Sequence, residues 1–222
     1  MDGFTLTADW DALLALRDAP GRLPDGPLGA LFGPLLAPPR AADGCVVVGR
    51  LAQTLDGRIA TLSGSSQWIG GPGDLLHTHR LRALCHAVVV GAGTVRSDDP
   101  RLTTRDCSGP HPVRVVLDTD RRLRPDYGVF REGPPTSASR GLTRIFVEGG
   151  GVTVSRFLAA GCLDRLHVTV APVLLGSGIP AFTLPEAARI ADGLRFAWTV
   201  HTLDPDVLFD IALDRARPGV CT

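Results

Sequence analysis

The chain has 222 residues, enough for one domain with a sizeable apolar core. Hydrophobic residues make up 44% and charged residues 21%, which excludes a disordered chain. The 23 Lys plus Arg balance 23 Asp plus Glu, so no global field gathers nucleic acid, no nucleic-acid partner is expected, and any anion must be recognised locally.

Residues 1–43 read as an N-terminal arm. It has a short amphipathic helix over 8–17, with Trp10, Leu13, Leu14 and Leu16 apolar, and then a loop rich in Pro and Gly over 20–44. Leu31, Phe32, Leu35 and Leu36 in that loop need a surface to pack on, in this chain or a partner. No basic patch leads into an apolar run with a small-residue cleavage site, so a cytoplasmic protein is expected. The apolar stretch 28–39 is broken by Gly and Pro and too short to cross a bilayer, so no membrane partner is expected.

Residues 44–222 read as the main domain. A strand starts at 45–48, and Asp56-Gly57 signals a hairpin turn. A helix over 72–85 starts at Pro72. The apolar run 87–90, ending at Gly91, has the profile of a strand buried on both faces. Strands over 113–117 and 144–147 follow, and a helix over 153–160 is stopped by Gly161. A strand over 166–173 and a hairpin of 196–202 with 207–213 complete the chain. This alternation predicts an α/β fold, mostly parallel, with an antiparallel edge. The five cysteines, Cys45, Cys85, Cys107, Cys162 and Cys221, are scattered with no Cys-x-x-Cys. They read as thiols in a reducing compartment, with Cys45 and Cys85 as buried small hydrophobes.

Three strands end in glycine turns: Gly91-Ala-Gly93-Thr94, Glu148-Gly-Gly-Gly151 and Leu175-Gly-Ser-Gly178. One such turn alone reads as a place needing positive φ. Three converging on one sheet edge read as a nucleotide site, because glycine lets backbone N–H groups approach a phosphate. None completes Gly-x-Gly-x-x-Gly, since Arg96 fills the last position, and none is a Walker loop. Arg82 shares a helical stripe with Leu75, so its guanidinium points inward and needs either an acid or a phosphate. Arg105 offers a second arm. Trp68 is either a core or rim aromatic or a flat ring beside a nicotinamide. The six histidines lack metal-ligand spacing, His77 and His79 diverging on a helix, so no metal site is expected. The zinc-deaminase signature and the Gly-x-Ser-x-Gly elbow are missing.

Taken in order, the stretches 49–60, 65–69, 81–105, 113–118, 147–151 and 170–176 resemble the reductase of riboflavin biosynthesis, a domain often fused behind a deaminase. The resemblance implies a dihydrofolate reductase-like mixed sheet, mostly parallel with an antiparallel C-terminal hairpin and helices on both faces. It places Ser66, Arg82, Leu102, Arg105 and Glu148 on the substrate, the arginines at its ribose phosphate and Glu148 near the sugar hydroxyls. Ala52, Trp68, Gly91, Thr94, Asp98, Thr119, Gly149, Gly150 and Gly151 would hold NADPH. Glu148 and Asp98 are the candidate catalytic residues, with the proton donor open between them and a water. The implied reaction reduces the ribosylamino group of 5-amino-6-(5-phosphoribosylamino)uracil to ribitylamino, in a homodimer. Two other readings stand beside it: a reductase of a related pterin or nucleoside, and a degenerate nucleotide-binding protein without efficient hydride transfer.

The chain departs from the pattern in places. Arg50 stands where many relatives have Lys, and Thr54 where Ser is usual. The stretch from Asp118 to Arg144 is shorter than expected, so one edge strand is expected to be missing and 119–139 reads as loop. Arg121, Arg122 and Arg124 there suit either a 2′-phosphate or a solvated basic turn.

Overall fold

A computed structural model of the chain describes residues 3–131 and 141–215. In chain order it has α1 (Gly3–Ala15), α2 (Pro27–Leu36), β1 (Val46–Thr54), β2 (Arg58–Thr61), α3 (Pro72–Leu84), β3 (Ala87–Gly91), α4 (Ala92–Asp98) and β4 (Val113–Leu117). Then follow α5 (Gly128–Arg131), β5 (Arg144–Glu148), α6 (Gly151–Ala159), β6 (Arg165–Ala171), β7 (Gly178–Pro180), β8 (Trp198–Leu203) and β9 (Asp206–Ala212).

Seven strands form one sheet in the order β4-β3-β5-β1-β6-β9-β8, and β2 pairs with β7 in a separate antiparallel ribbon. The five strands from β4 to β6 run parallel. β9 runs antiparallel to both β6 and β8, so the expected mixed sheet with its C-terminal hairpin is present.

The twofold period of a strand divides the sheet's residues between two cores. Val46, Val48, Val88, Val90, Phe146 and Leu208 face α1, α2 and α3. Val47, Val89, Val147, Leu166 and Val168 face the other way, against Val154 and Leu158 of α6. Helices therefore cover both faces, which is why valine runs rather than alternating patterns mark these strands.

The N-terminal segment differs from its reading. The first helix runs from Gly3 to Ala15 instead of 8–17, and the expected loop contains a second helix, α2. Gly29, Gly33 and Pro34 hide that helix from propensity, yet packing demands one of them: a Cβ at Gly29 would lie 1.8 Å from the Pro24 carbonyl oxygen. Leu31, Phe32 and Leu35 are buried within this chain, Phe32 edge-on to Trp10 and stacked on His77.

The hairpin expected at Asp56-Gly57 is not formed. The turn exists, with Gly57 at φ 75°, but β2 leaves the main sheet and pairs with β7. The Asp56 carboxylate accepts hydrogen bonds from Thr54 Oγ1 at 2.6 Å, the Gly176 amide at 2.6 Å and the Leu175 amide at 3.2 Å. It therefore clips two distant loops together. Cys85 is buried, but Cys45 is only half-buried, since its strand begins at the rim; the cysteines among the described residues are free. Cys221 lies outside the described residues. Among the described residues no strand lies beyond β4, and the segment after it holds only the one-turn α5; residues 132–140 are outside the description.

Two outcomes follow from this packing. Phe32→Ala should lower unfolding free energy by about 3–5 kcal/mol in urea melts, because it empties the contact between α2, Trp10 and His77; a loss below about 1 kcal/mol would mean that α2 is not part of the core. The Thr54 hydroxyl and the two amides hold the Asp56 carboxyl down at about 2. Its stabilising effect is thus complete above the unfolded pKa of about 4 and disappears as pH falls through about 2. Asp56→Asn should make the acid-unfolding curve shallower across that window, and an unchanged slope would contradict the clip.

Candidate active site

A cleft of about 1110 Å³ opens at the carboxyl ends of the parallel strands, where open α/β sheets bind ligands. One wall comes from β5 and the start of α6. Glu148 ends β5, and Gly149-Gly150-Gly151 leads into α6, whose N-terminus has no side-chain cap. The first and third of these glycines are sterically required. A Cβ at Gly149 would sit 2.6 Å from Thr153 Cβ, and one at Gly151 would sit 2.1 Å from the Ala181 carbonyl oxygen. Gly150 donates its amide to Thr94 Oγ1 at 3.2 Å, which ties this turn to α4. Gly91 lies opposite, where a Cβ would meet Thr153 Oγ1 at 2.5 Å. The result is a bare backbone cradle at a helix N-terminus, suited to a pyrophosphate.

The adjoining part of the cleft is charged. Arg82, on α3, directs Nε and Nη2 at the two oxygens of Glu148, with Nε to Oε2 at 2.7 Å, and donates from Nη1 to the Thr103 carbonyl at 3.0 Å. Burial pulls the Arg82 pKa down, but facing Glu148 more than compensates, and it ends above its ordinary value. The inward guanidinium thus has an acid partner, and that partner lines the same cleft. Arg105 is exposed in the cleft, its Nη1 donating to Thr103 Oγ1 at 3.0 Å. Its amide is held by His79 Nδ1 at 2.9 Å, and burial and nearby Arg82 depress the His79 pKa, so the ring accepts as a neutral imidazole.

Leu102 lines the cleft with its backbone at φ 55°, while its side chain is buried in the core. Ser66 and Ala52 are half-buried in the wall. Trp68 is 71% exposed at the rim, so the core alternative for it falls away. Asp98, at the end of α4, and Thr119 lie on the wall beyond β4, and partial burial raises the Asp98 carboxyl above its usual range. One expectation needs correction: the 91–94 and 148–151 turns share this cleft, but 175–178 does not line it. That turn is drawn to Asp56 instead, and Ile179, Pro180 and Thr183 beyond it reach the wall. Arg121 and Arg124 are likewise not in the wall, Arg124 being paired with Asp126, whereas Arg122 is.

Sequence reading missed several lining groups. Arg50 pairs with Asp74 of α3, and Asp74 Oδ1 accepts from Thr169 Oγ1 at 2.7 Å. The signal was available in β1, where Arg50 shares parity with Val46 and Val48 and must point beneath α3. Arg96 and Arg156 also line the cleft. Among the described residues no cluster of metal-ligating side chains occurs, and no helix is long and apolar enough to cross a membrane.

A family described as the RibD C-terminal domain matches residues 46–139 and 136–202. Two curated relatives from Mycobacterium tuberculosis strains, each named riboflavin biosynthesis protein RibD, are 35% identical over 74% of this chain; the chain spans 53% of their length. A protein of Methanothermobacter thermautotrophicus named 2,5-diamino-6-ribosylamino-4(3H)-pyrimidinone 5′-phosphate reductase is 32% identical, over 74% of this chain and 96% of its own. Among solved structures, Acinetobacter baumannii RibD superposes with a TM-score of 0.67 at 27% identity, covering 77% of this chain and 58% of that one.

Proposed function

The chain belongs to the RibD C-terminal domain family, and we propose that it is an NADPH-dependent reductase that converts 5-amino-6-(5-phosphoribosylamino)uracil to its ribitylamino product. The observation that carries this reading is a single cleft in which a bare glycine cradle adjoins a carboxylate–guanidinium pair, with an exposed arginine in the same lining.

The Gly149–Gly151 turn and the amides at the start of α6 suit the cofactor's pyrophosphate, with Gly91, Thr94, Asp98, Ala52 and Thr119 around it. Trp68 offers an exposed ring for the nicotinamide. Arg96, Arg122 and Arg156 bring positive charge to the wall, which favours the extra phosphate of NADPH over NADH. When bound, the nicotinamide supplies a hydride to C1′ of the ring-opened, imine form of the sugar, while the nitrogen takes a proton.

On the substrate side, Arg105, exposed in the cleft, is the cation for the ribose phosphate, with Ser66 and the Leu102 backbone in the same lining. Arg82 contributes chiefly by aiming Glu148, whose oxygens retain lone pairs for sugar hydroxyls. Asp98 and Glu148 are the carboxylates offered for proton delivery. Holding the sugar between them and the nicotinamide lowers the entropic part of the barrier. The same reading includes a reducing cytoplasm, supported by free cysteines, and a homodimer. The edge strand β8 leaves Trp198 59% and Val200 52% exposed, which favours a second copy over water there.

The chain should oxidise NADPH only when the phosphoribosylamino-pyrimidine is supplied, with NADH turned over more slowly. The assay should include the diamino form in the name of the Methanothermobacter relative beside the deaminated one. Arg105→Ala should raise KM for the pyrimidine roughly 10- to 100-fold, the worth of one charge-assisted phosphate bond, with kcat less affected. No oxidation with either pyrimidine sinks the reading. Light scattering should give twice the chain mass, and a monomer at micromolar concentration removes the dimer from it.

A further inference from the structure

Arg50 of β1 stands opposite Glu148 of β5 and opposite His167 of β6, and Ala52 stands opposite Thr169. Residues in register on parallel strands point to one face, so Arg50, Glu148, His167 and Thr169 all lie beneath α3. That helix answers the four with three groups. Arg82 takes both oxygens of Glu148, His77 Nε2 meets His167 Nδ1 at 3.1 Å, and Asp74 bridges Arg50 and Thr169.

The Asp74 carboxylate is closely confined. Its side chain is 4% exposed, and Thr169 Oγ1 donates to the oxygen that Arg50 does not use. Gly70 lies directly over it, since a Cβ there would come within 2.0 Å of Asp74 Oδ2. Arg50 is 12% exposed and lines the cleft, while its Nε is buried without a protein partner. With Nη2 on Asp74, the N–H donors left for an oxygen acceptor in the cleft are those of Nη1.

We propose that Asp74 is a positioning residue that, clamped by Thr169, holds the Arg50 guanidinium beside Glu148 so that its Nη1 N–H groups donate to a hydroxyl oxygen of the bound sugar phosphate. The identity of the acceptor rests on the functional reading above; the clamp on Arg50 does not. Gly70 ends the 66–70 segment that also carries Ser66 and Trp68, so the confined carboxylate sits where that segment meets α3.

The test uses the full chain and two readouts. Nitrogen-detected NMR of the Arg50 Nε–H, assigned with Arg50→Lys, should show slow exchange in wild type and exchange several-fold faster in Asp74→Asn. Equal exchange in the two overturns the proposal whether or not the chain turns over a pyrimidine. In turnover assays, Asp74→Asn should lower kcat/KM for the pyrimidine roughly tenfold while KM for NADPH stays within about twofold. That loss should vanish in an Arg50→Ala background, and losses that multiply independently overturn the proposal. Thr169→Val keeps the ion pair and removes only the clamp; a smaller loss in the same parameter is expected, and it decides the matter if Asp74→Asn does not fold. A wild type inactive with both pyrimidines sinks the functional reading and leaves the exchange comparison to judge Asp74.

Discussion

Arg82 of α3 and Arg50 of β1 lie between that helix and the sheet, and a guanidinium removed from water must bring its own counter-charge. Arg82 has Glu148 and Arg50 has Asp74, so the sheet face under α3 carries a neutral row of alternating charges, anchored at its ends by the Thr103 carbonyl and the Thr169 hydroxyl. Removing any one member strands its partner. This constraint fixes how α3 lies on the sheet, and it also builds the charged part of the cleft.

The position of that row follows from strand parity. On β1 the residues facing α3 begin with Val46 and Val48 in the core and continue with the charged Arg50 in the cleft. β5 repeats this with Phe146 and then Glu148. The apolar half joins α1 and α2 in the core, and the polar half opens into the cleft. On the other face Val47, Val147 and α6 form the second core, whose helix starts at the glycine cradle. One sheet therefore supplies both the support and the site, and the cleft needs no separate domain.

What could be read from the residues was governed by how local its cause is. The valine run before Gly91 and the triple glycine after Glu148 carry their reasons within a few residues, and both lie where they were expected. α2 was invisible because Gly29, Gly33 and Pro34 are poor helix formers, and their reason is contact with Pro24 and Leu23 and not propensity. The 175–178 turn carried the same glycine signal as the others but is captured by Asp56, more than a hundred residues earlier in the chain. Asp74 was passed over because a first-turn carboxylate ordinarily serves the helix dipole; only the pairing of β1 with β6 brings Thr169 and Arg50 to it.

The family match begins at residue 46, yet the loop that carries Arg105 is braced from outside it. Trp10 Nε1 donates to the Ser108 carbonyl at 3.0 Å, with Ser108 Oγ at 3.1 Å, and a Cβ on Gly109 would touch Ala83 and Leu14. The first helix thus acts as a buttress for the Arg105 loop nearly a hundred residues away. A protein trimmed to the matched region would keep every residue of the cleft and lose the masonry behind one of its walls.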